Sequence, residues 1–202
     1  MKQQLLIATN EGYRYDIFFS YSRGGASEDW LNGCLKELLE KHLQEEMGRI
    51  PQFYIDTEMR AGVNWYDDIK EALLRSRCLL GVWSGPYFYR KYCLTEWRSM
   101  KEREKVVSGK SGSCKLIYPV KFGDGDHFSD EANETQYDDL SNWAFIGPAF
   151  RNSPEFVEFE KRVKDVARSL WQIIKHAPEW EPGWPFIEVE PPLAPVSLLP
   201  RM

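Results

Sequence analysis

Short apolar runs closed by turn-forming residues alternate along this chain with stretches whose apolar positions recur at helical spacing. The run YRYDIFFSYS (residues 13–22) is apolar and aromatic, ends in serines and passes into RGGAS, as a strand entering a loop does. Between Ser27 and Met47 the residues Trp30, Leu31, Cys34, Leu35, Leu38, Leu39 and Leu43 share a helical face, and Ser27 or Asp29 is the expected N-cap. Gly48 and Pro51 then precede FYID (residues 53–56), the loop TEMRAG, and a helix with Trp65, Ile69, Ala72 and Leu73 on one side. CLLGVWS (residues 78–84) is nearly all apolar, the pattern of a strand covered on both faces. The helix after it is expected to dissolve into SGKSGS. KLIYPVKF (residues 115–122) reads as a fourth strand, and WAFIG (residues 143–147) as a weaker fifth. The cleanest helical stripe of all is Phe156, Phe159, Val163, Val166, Ala167, Leu170, Ile173 and Ile174.

Strand and helix in alternation predict a parallel sheet with helices on both faces. The expected fold class is α/β, a flavodoxin-like doubly wound sheet of five parallel strands in the order 2-1-3-4-5. A chain of 202 residues suits one such core with appended sequence. We divide it into an N-terminal extension (1–12), a folded domain (13–175) and a C-terminal tail (176–202). Seven prolines fall in the last 25 residues, with Trp180 and Trp184 among them, so the tail is extended. It is either a solvated linker or a strap held on the domain by its aromatics.

Charge and composition narrow the function classes. A net charge of −5 argues against a nucleic-acid partner, which would call for a basic face. No apolar run approaches the roughly 20 residues that span a bilayer, and the first residues lack the apolar length of a signal peptide, so no membrane partner and a cytoplasmic location are expected. Four cysteines and three histidines are scattered without metal-ligand spacing, so no metal is expected. Gly109, Lys110 and Ser111 are similar to the end of a phosphate-binding loop, but Glu104 stands where its first glycine belongs. Asp124 and Asp126 open like a calcium loop, yet the twelfth position is Thr135. A phosphoacceptor domain needs acids at the ends of strands one and three, where this chain has Phe19-Ser20 and Trp83-Ser84.

One stretch carries chemistry. SGPYFYRKYCLTEW (residues 84–97) sets Glu96 among Tyr87, Phe88, Tyr89, Tyr92 and Trp97, with Tyr92 and Glu96 one helical turn apart. In a doubly wound sheet of this order, ligands bind outside the carboxyl ends of strands one and three, where the strand order reverses. Ser20 to Arg23 and Ser84 onward would wall that crevice, with TEMRAG close by and Glu96 leaning in. A lone carboxylate there can orient sugar hydroxyls and stabilise positive charge developing on a ribose ring. One acid suffices if the leaving group is already cationic, as nicotinamide is in NAD+. The plainer reading is an acid near a helix start, favoured there by the helix dipole.

YDIFFSYS (residues 15–22), DTEMRAG (residues 56–62) leading into NWYDDIKEALLRSR, and SGPYFYRKYCLTEW together resemble the TIR (Toll/interleukin-1 receptor) domain, most closely its bacterial and plant-like members. The resemblance covers about residues 13–175. It implies the flavodoxin-like fold and, as in many TIR domains, cleavage of NAD+ by a glutamate on the helix after the third strand. The family pattern S-x-x-Y followed by W-C-L-x-E is met by Ser84, Tyr87, Cys93, Leu94 and Glu96, with Tyr92 in place of the usual Trp. Tyr21 and Arg23 match positions that line the pocket in related enzymes, while Ser22 replaces a frequent basic residue and Ala61-Gly62 a frequent Pro-Gly.

The resemblance thus implies an NAD+ glycohydrolase or ADP-ribosyl cyclase, with NAD+ as substrate and no further cofactor. Glu96 would be the catalytic residue, and Ser20, Tyr21, Arg23, Gly62, Ser84 and Tyr92 would bind the substrate. The product would be ADP-ribose or a cyclic or conjugated form of it, in bacterial defence against phage. Self-association with other TIR domains is implied for Arg60, Ala61, Val63 and Asn64, and a separate sensor or effector protein for the trigger. The alternative is a scaffold that pairs with other TIR domains and has no activity.

Overall fold

A computed structural model describes residues 12–56, 65–123, 125–126 and 128–188 of the chain. The five strands are β1 (Tyr15–Tyr21), β2 (Phe53–Tyr54), β3 (Ser76–Trp83), β4 (Ile117–Lys121) and β5 (Asp138–Asp139). They form one sheet, β2-β1-β3-β4-β5, with every neighbouring pair parallel. This is the expected flavodoxin-like order. β1 and β3 lie side by side at its centre, Ser20 opposite Gly81 and Tyr21 opposite Val82.

Helices cover both faces. α1 (Ala26–Trp30) runs through a π-helical turn (Leu31–Leu35) into α2 (Lys36–Met47), which packs with α6 (Pro154–Lys175) on one side. Leu35, Leu39 and Leu43 meet Val163, Val166 and Leu170 there, so the two stripes legible in the sequence are the two halves of one core layer. α3 (Trp65–Leu74) and α4 (Lys91–Ser111) take the other side, packing Ile69, Leu73 and Met100 on Phe18 and Leu79. α5 (Asp130–Asn133) completes the set and buries Ala132.

The structure corrects four local expectations. Gly25, not Ser27 or Asp29, is the N-cap of α1; Ser27 is buried inside the helix, and Glu28 reaches back to accept the Gly24 N–H at 2.7 Å. Glu rather than Ser thus satisfies a donor at this helix start. α4 does not dissolve at SGKSGS but continues through Gly109 to Ser111. β2 ends before Ile55, because the Asp56 carbonyl is taken by the Tyr21 hydroxyl and Arg23 instead of a strand ladder.

The fifth strand is not WAFIG. Asp138 and Asp139 pair with β4, held by Tyr118 and Arg162 on Asp138 and by Lys121 on Asp139 at 2.8 Å. Trp143 instead ends a 3₁₀ turn (Ser141–Trp143), and Phe145 and Ile146 are 53% and 56% exposed. A two-residue edge strand made of aspartates carries no apolar signature, so hydrophobic runs alone point past it.

Two features bear on the site. Gly81 is central in β3, and a Cβ there would lie 2.8 Å from the Trp83 indole nitrogen. The missing side chain leaves room for that ring, which meets Phe88, Trp97 and Phe128 edge-on at 5.4–5.8 Å. The tail, as far as residue 188, is a strap. Trp180 donates its indole N–H to the Leu74 carbonyl at 3.1 Å under the Arg75 guanidinium, Trp184 is buried over Arg103, and the Ile187 N–H reaches Ser99 Oγ at 2.8 Å.

Trp184→Ala is expected to destabilise the chain by about 3 kcal/mol, the low end for a buried tryptophan, because Arg103 beneath it regains water. Denaturant unfolding of the full chain checks this; a loss under about 0.5 kcal/mol would mean that the strap does not pack in solution.

Candidate functional site

The site grows from the carboxyl ends of the two central strands. β1 delivers Ser20 and Tyr21, and Arg23 follows in the loop beyond. From β3 the chain passes through Ser84 into a 3₁₀ turn (Gly85–Tyr89), which Pro86 fits at its start, and then into α4. That route returns α4 across the end of β1, placing Glu96 over Ser20.

Glu96 is 7% exposed. Ser20 Oγ donates to its Oε2 at 2.6 Å, and the Tyr87 hydroxyl stands 2.8 Å behind Ser20 Oγ and 3.3 Å from the Cys93 carbonyl. Cys93 Sγ donates to the Tyr21 carbonyl at 3.2 Å, tying α4 to β1 a turn away from the acid. Burial raises the Glu96 pKa to about 8, against the opposing Ser20 hydrogen bond and Arg23 charge. Burial also pushes the Tyr21 phenol up to about 12, with the Glu28 charge adding to it.

A cleft of about 220 Å³ opens on this acid, lined by Phe19, Tyr21, Arg23, Asp56, Ile69, Arg90, Tyr92, Cys93 and Glu96. Of the residues singled out in the sequence, Glu96, Tyr21, Arg23 and Tyr92 therefore come together on one cavity. Ser20 joins them through its bond to Glu96. Ser84 stands apart: it is buried, and its carbonyl accepts the Tyr87 N–H at 3.0 Å to start the turn. Gly62, and with it Arg60, Ala61, Val63 and Asn64, lies outside the described residues.

Tyr92 stands at the mouth, 40% exposed, with its ring 6.2 Å from that of Tyr66. Tyr66 in turn meets Phe186 of the strap edge-on at 5.9 Å, so the tail buttresses the aromatic wall of the cleft. Trp97, one position past Glu96, is buried in the aromatic cluster with Trp83 and Phe88.

Sequence reasoning missed two charged lining residues. Asp56 ends the segment after β2, which is the neighbour of β1. It forms an ion pair with Arg23, and its carbonyl accepts from Tyr21 Oη and Arg23 Nη2, both at 2.8 Å. Arg90 immediately precedes α4. Position at the carboxyl ends of adjacent strands was the available signal for the first, and position at the start of the helix after β3 for the second. Among the described residues no group of His, Cys, Asp and Glu is arranged to hold a metal ion, and no described helix is long and apolar enough to cross a membrane.

A doubly wound parallel sheet with a buried acid at its switch point is the class that this geometry defines. The family model described as TIR domain matches residues 17–152, well over half of the chain, and the protein belongs to that family. Among solved structures, the TIR domain of the Toll-related receptor TRR-2 from Hydra magnipapillata is 16% identical with a TM-score of 0.50, covering 80% of this chain and 99% of that one. The TIR domains of the activated Roq1 resistosome, which directly recognises the pathogen effector XopQ, are 17% identical with a TM-score of 0.38 over 80% of this chain and 95% of theirs. The Hydra structure supports the fold. No curated protein matches the sequence.

The raised acid has a measurable consequence. Between about pH 4.5 and 8 the folded chain holds a proton on Glu96 that the unfolded chain has released, so this contribution to stability is full at low pH and is lost as pH rises through 8. Glu96→Gln removes that dependence. Its melting temperature relative to wild type is expected to climb from pH 5 to pH 9; parallel profiles in thermal melts would contradict the buried, proton-holding acid.

Proposed function

We propose that this TIR domain cleaves NAD+ at the nicotinamide–ribose bond, releasing nicotinamide and leaving ADP-ribose or a cyclic or conjugated form of it. The observation that carries the proposal is Glu96: a carboxyl group almost fully withdrawn from water, held by Ser20, and facing a cleft at the switch point.

Before substrate binds, the acid is mostly protonated at neutral pH, which avoids an unpaired buried charge. A bound pyridinium brings a positive charge that lowers the proton affinity of the acid, and its proton passes to solvent. As the glycosidic bond lengthens, nicotinamide leaves as a neutral molecule and the positive charge moves onto the ribose ring. The Glu96 carboxylate, fixed through Ser20, stabilises that charge and holds the ribose hydroxyls. Water then adds to the ring carbon and passes its proton to the Glu96 carboxylate, restoring the acid; a ribose or other hydroxyl in its place gives the cyclic or conjugated product. Tyr92 supplies a stacking surface at the mouth, and Tyr21 and the Arg23–Asp56 pair form the far wall.

The cleft is smaller than the roughly 300–1,000 Å³ of pockets that enclose drug-sized ligands, so it suits the nicotinamide riboside half of the dinucleotide. The setting we assign is a cytoplasmic antiphage system in which TIR domains associate with one another and a separate sensor or effector protein supplies the trigger.

Glu96→Gln is expected to slow nicotinamide release by about 10²- to 10⁴-fold, the range for loss of a positioned acid–base group. Chromatography of NAD+ incubated with each protein, at low and high protein concentration, checks this. Equal release by both proteins would remove Glu96 from the chemistry, and no release by wild type at either concentration would leave the scaffold reading in its place.

A further inference from the structure

The two guanidinium groups on the cleft are not equivalent. Arg23 is engaged with the Asp56 carboxylate and carbonyl, so its charge is largely balanced within the fold. Arg90 lines the same cleft, is exposed, and has no carboxylate partner among the described residues. No side chain caps the first turn of α4 beside it. Among the described residues the cleft therefore combines a buried acid, a cation paired within the fold and one with no carboxylate beside it.

Their spacing is informative. Arg90 stands six positions before Glu96, about 9 Å along a helix axis at 1.5 Å per residue. The charge of Arg23 bears on both Glu96 and Cys93, whereas that of Arg90 bears on Cys93, one turn before the acid. In a nicotinamide nucleotide the phosphorus is five bonds from the ring carbon that loses nicotinamide. With that carbon at Glu96, the phosphate lies toward the mouth, within reach of a long side chain at position 90.

We propose that Arg90 binds the phosphate next to the nicotinamide ribose and so makes this a site for nucleotides, set against the corresponding nucleoside. This rests on the cleavage reading for the placement of the ribose. A guanidinium fork matches two phosphate oxygens, which an ammonium group does not. Arg90 thus selects the substrate class, while Arg23 holds the segment around Asp56 and touches both ligand classes alike.

The test is titration calorimetry on the slow Glu96→Gln protein, with NAD+, nicotinamide mononucleotide and nicotinamide riboside as ligands. Adding Arg90→Gln is expected to weaken NAD+ and the mononucleotide by about 10- to 100-fold, as loss of a charged hydrogen bond does, and the riboside by less than about twofold. Arg90→Lys should recover part of the difference, and Arg23→Gln should weaken all three ligands together. Equal weakening of riboside and nucleotides by Arg90→Gln, or no weakening of the nucleotides, overturns the proposal. So does failure of Glu96→Gln to bind NAD+ together with failure of wild type to bind ADP-ribose. Nucleotide binding that depends on Arg90 in a wild-type protein releasing no nicotinamide would overturn cleavage alone.

Discussion

The hydrogen bond from Ser20 to Glu96 ties the first strand of the sheet to the helix that crosses its end. It joins residues 76 positions apart, is 2.6 Å long, and lies where almost no water reaches. Topology makes its partners neighbours: β1 and β3 lie side by side at the switch point, so the helix that follows β3 starts beside the end of β1. Burial pulls the acid toward its neutral form, while Ser20 and the Arg23 charge pull the other way. The balance leaves a group able to change protonation near neutral pH, which an exposed glutamate on the same helix would not do.

Holding that balance requires a rigid α4. The aromatic cluster of Trp83, Phe88, Trp97 and Phe128 packs the inner side of the helix start, and it depends on Gly81 leaving room for the Trp83 ring. Further along, Arg103 is buried with its guanidinium on the Ser76 and Leu73 carbonyls and under Trp184 of the strap. Burial lowers its pKa to about 10, against the opposing effect of the Tyr13 phenol, yet it remains a cation at neutral pH. A buried cation held by two carbonyls, with its Nε left without a hydrogen-bond partner among the described residues, costs stability. Here it joins α4, the end of α3 and the tail.

Much of this was legible in the sequence because the central elements are apolar on a regular period. β1, β3 and the stripes of α2 and α6 carry the pattern unmistakably and give a parallel sheet with helices on both faces; the flavodoxin-like order then places Glu96, Tyr21, Arg23 and Tyr92 on one crevice. β5 escaped because two aspartates make a strand through neighbours, Tyr118, Arg162 and Lys121, instead of through their own propensity. The strap could not be told from a linker, since tryptophans among prolines show only that apolar surface is available and not where it packs. Arg90 and Asp56 escaped for a third reason: charged residues at strand ends and helix starts are common, and only the shared cavity separates these two from the rest.

The charges around the cleft argue for a cationic sugar with an anionic tail over any ligand of single sign. A purely anionic ligand would find Arg90 attractive but would meet Glu96, and would drive its proton affinity still higher. A purely cationic one would be welcomed by Glu96 and opposed by Arg90. With Arg23 paired to Asp56, Glu96 and Arg90 lie apart, the acid deep and the guanidinium just before the start of α4. A ligand whose positive ring enters first and whose phosphate trails satisfies both. The same order of charge keeps Glu96 neutral until the ring arrives, so the catalytic ionisation proposed for it is coupled to the presence of the substrate that needs it.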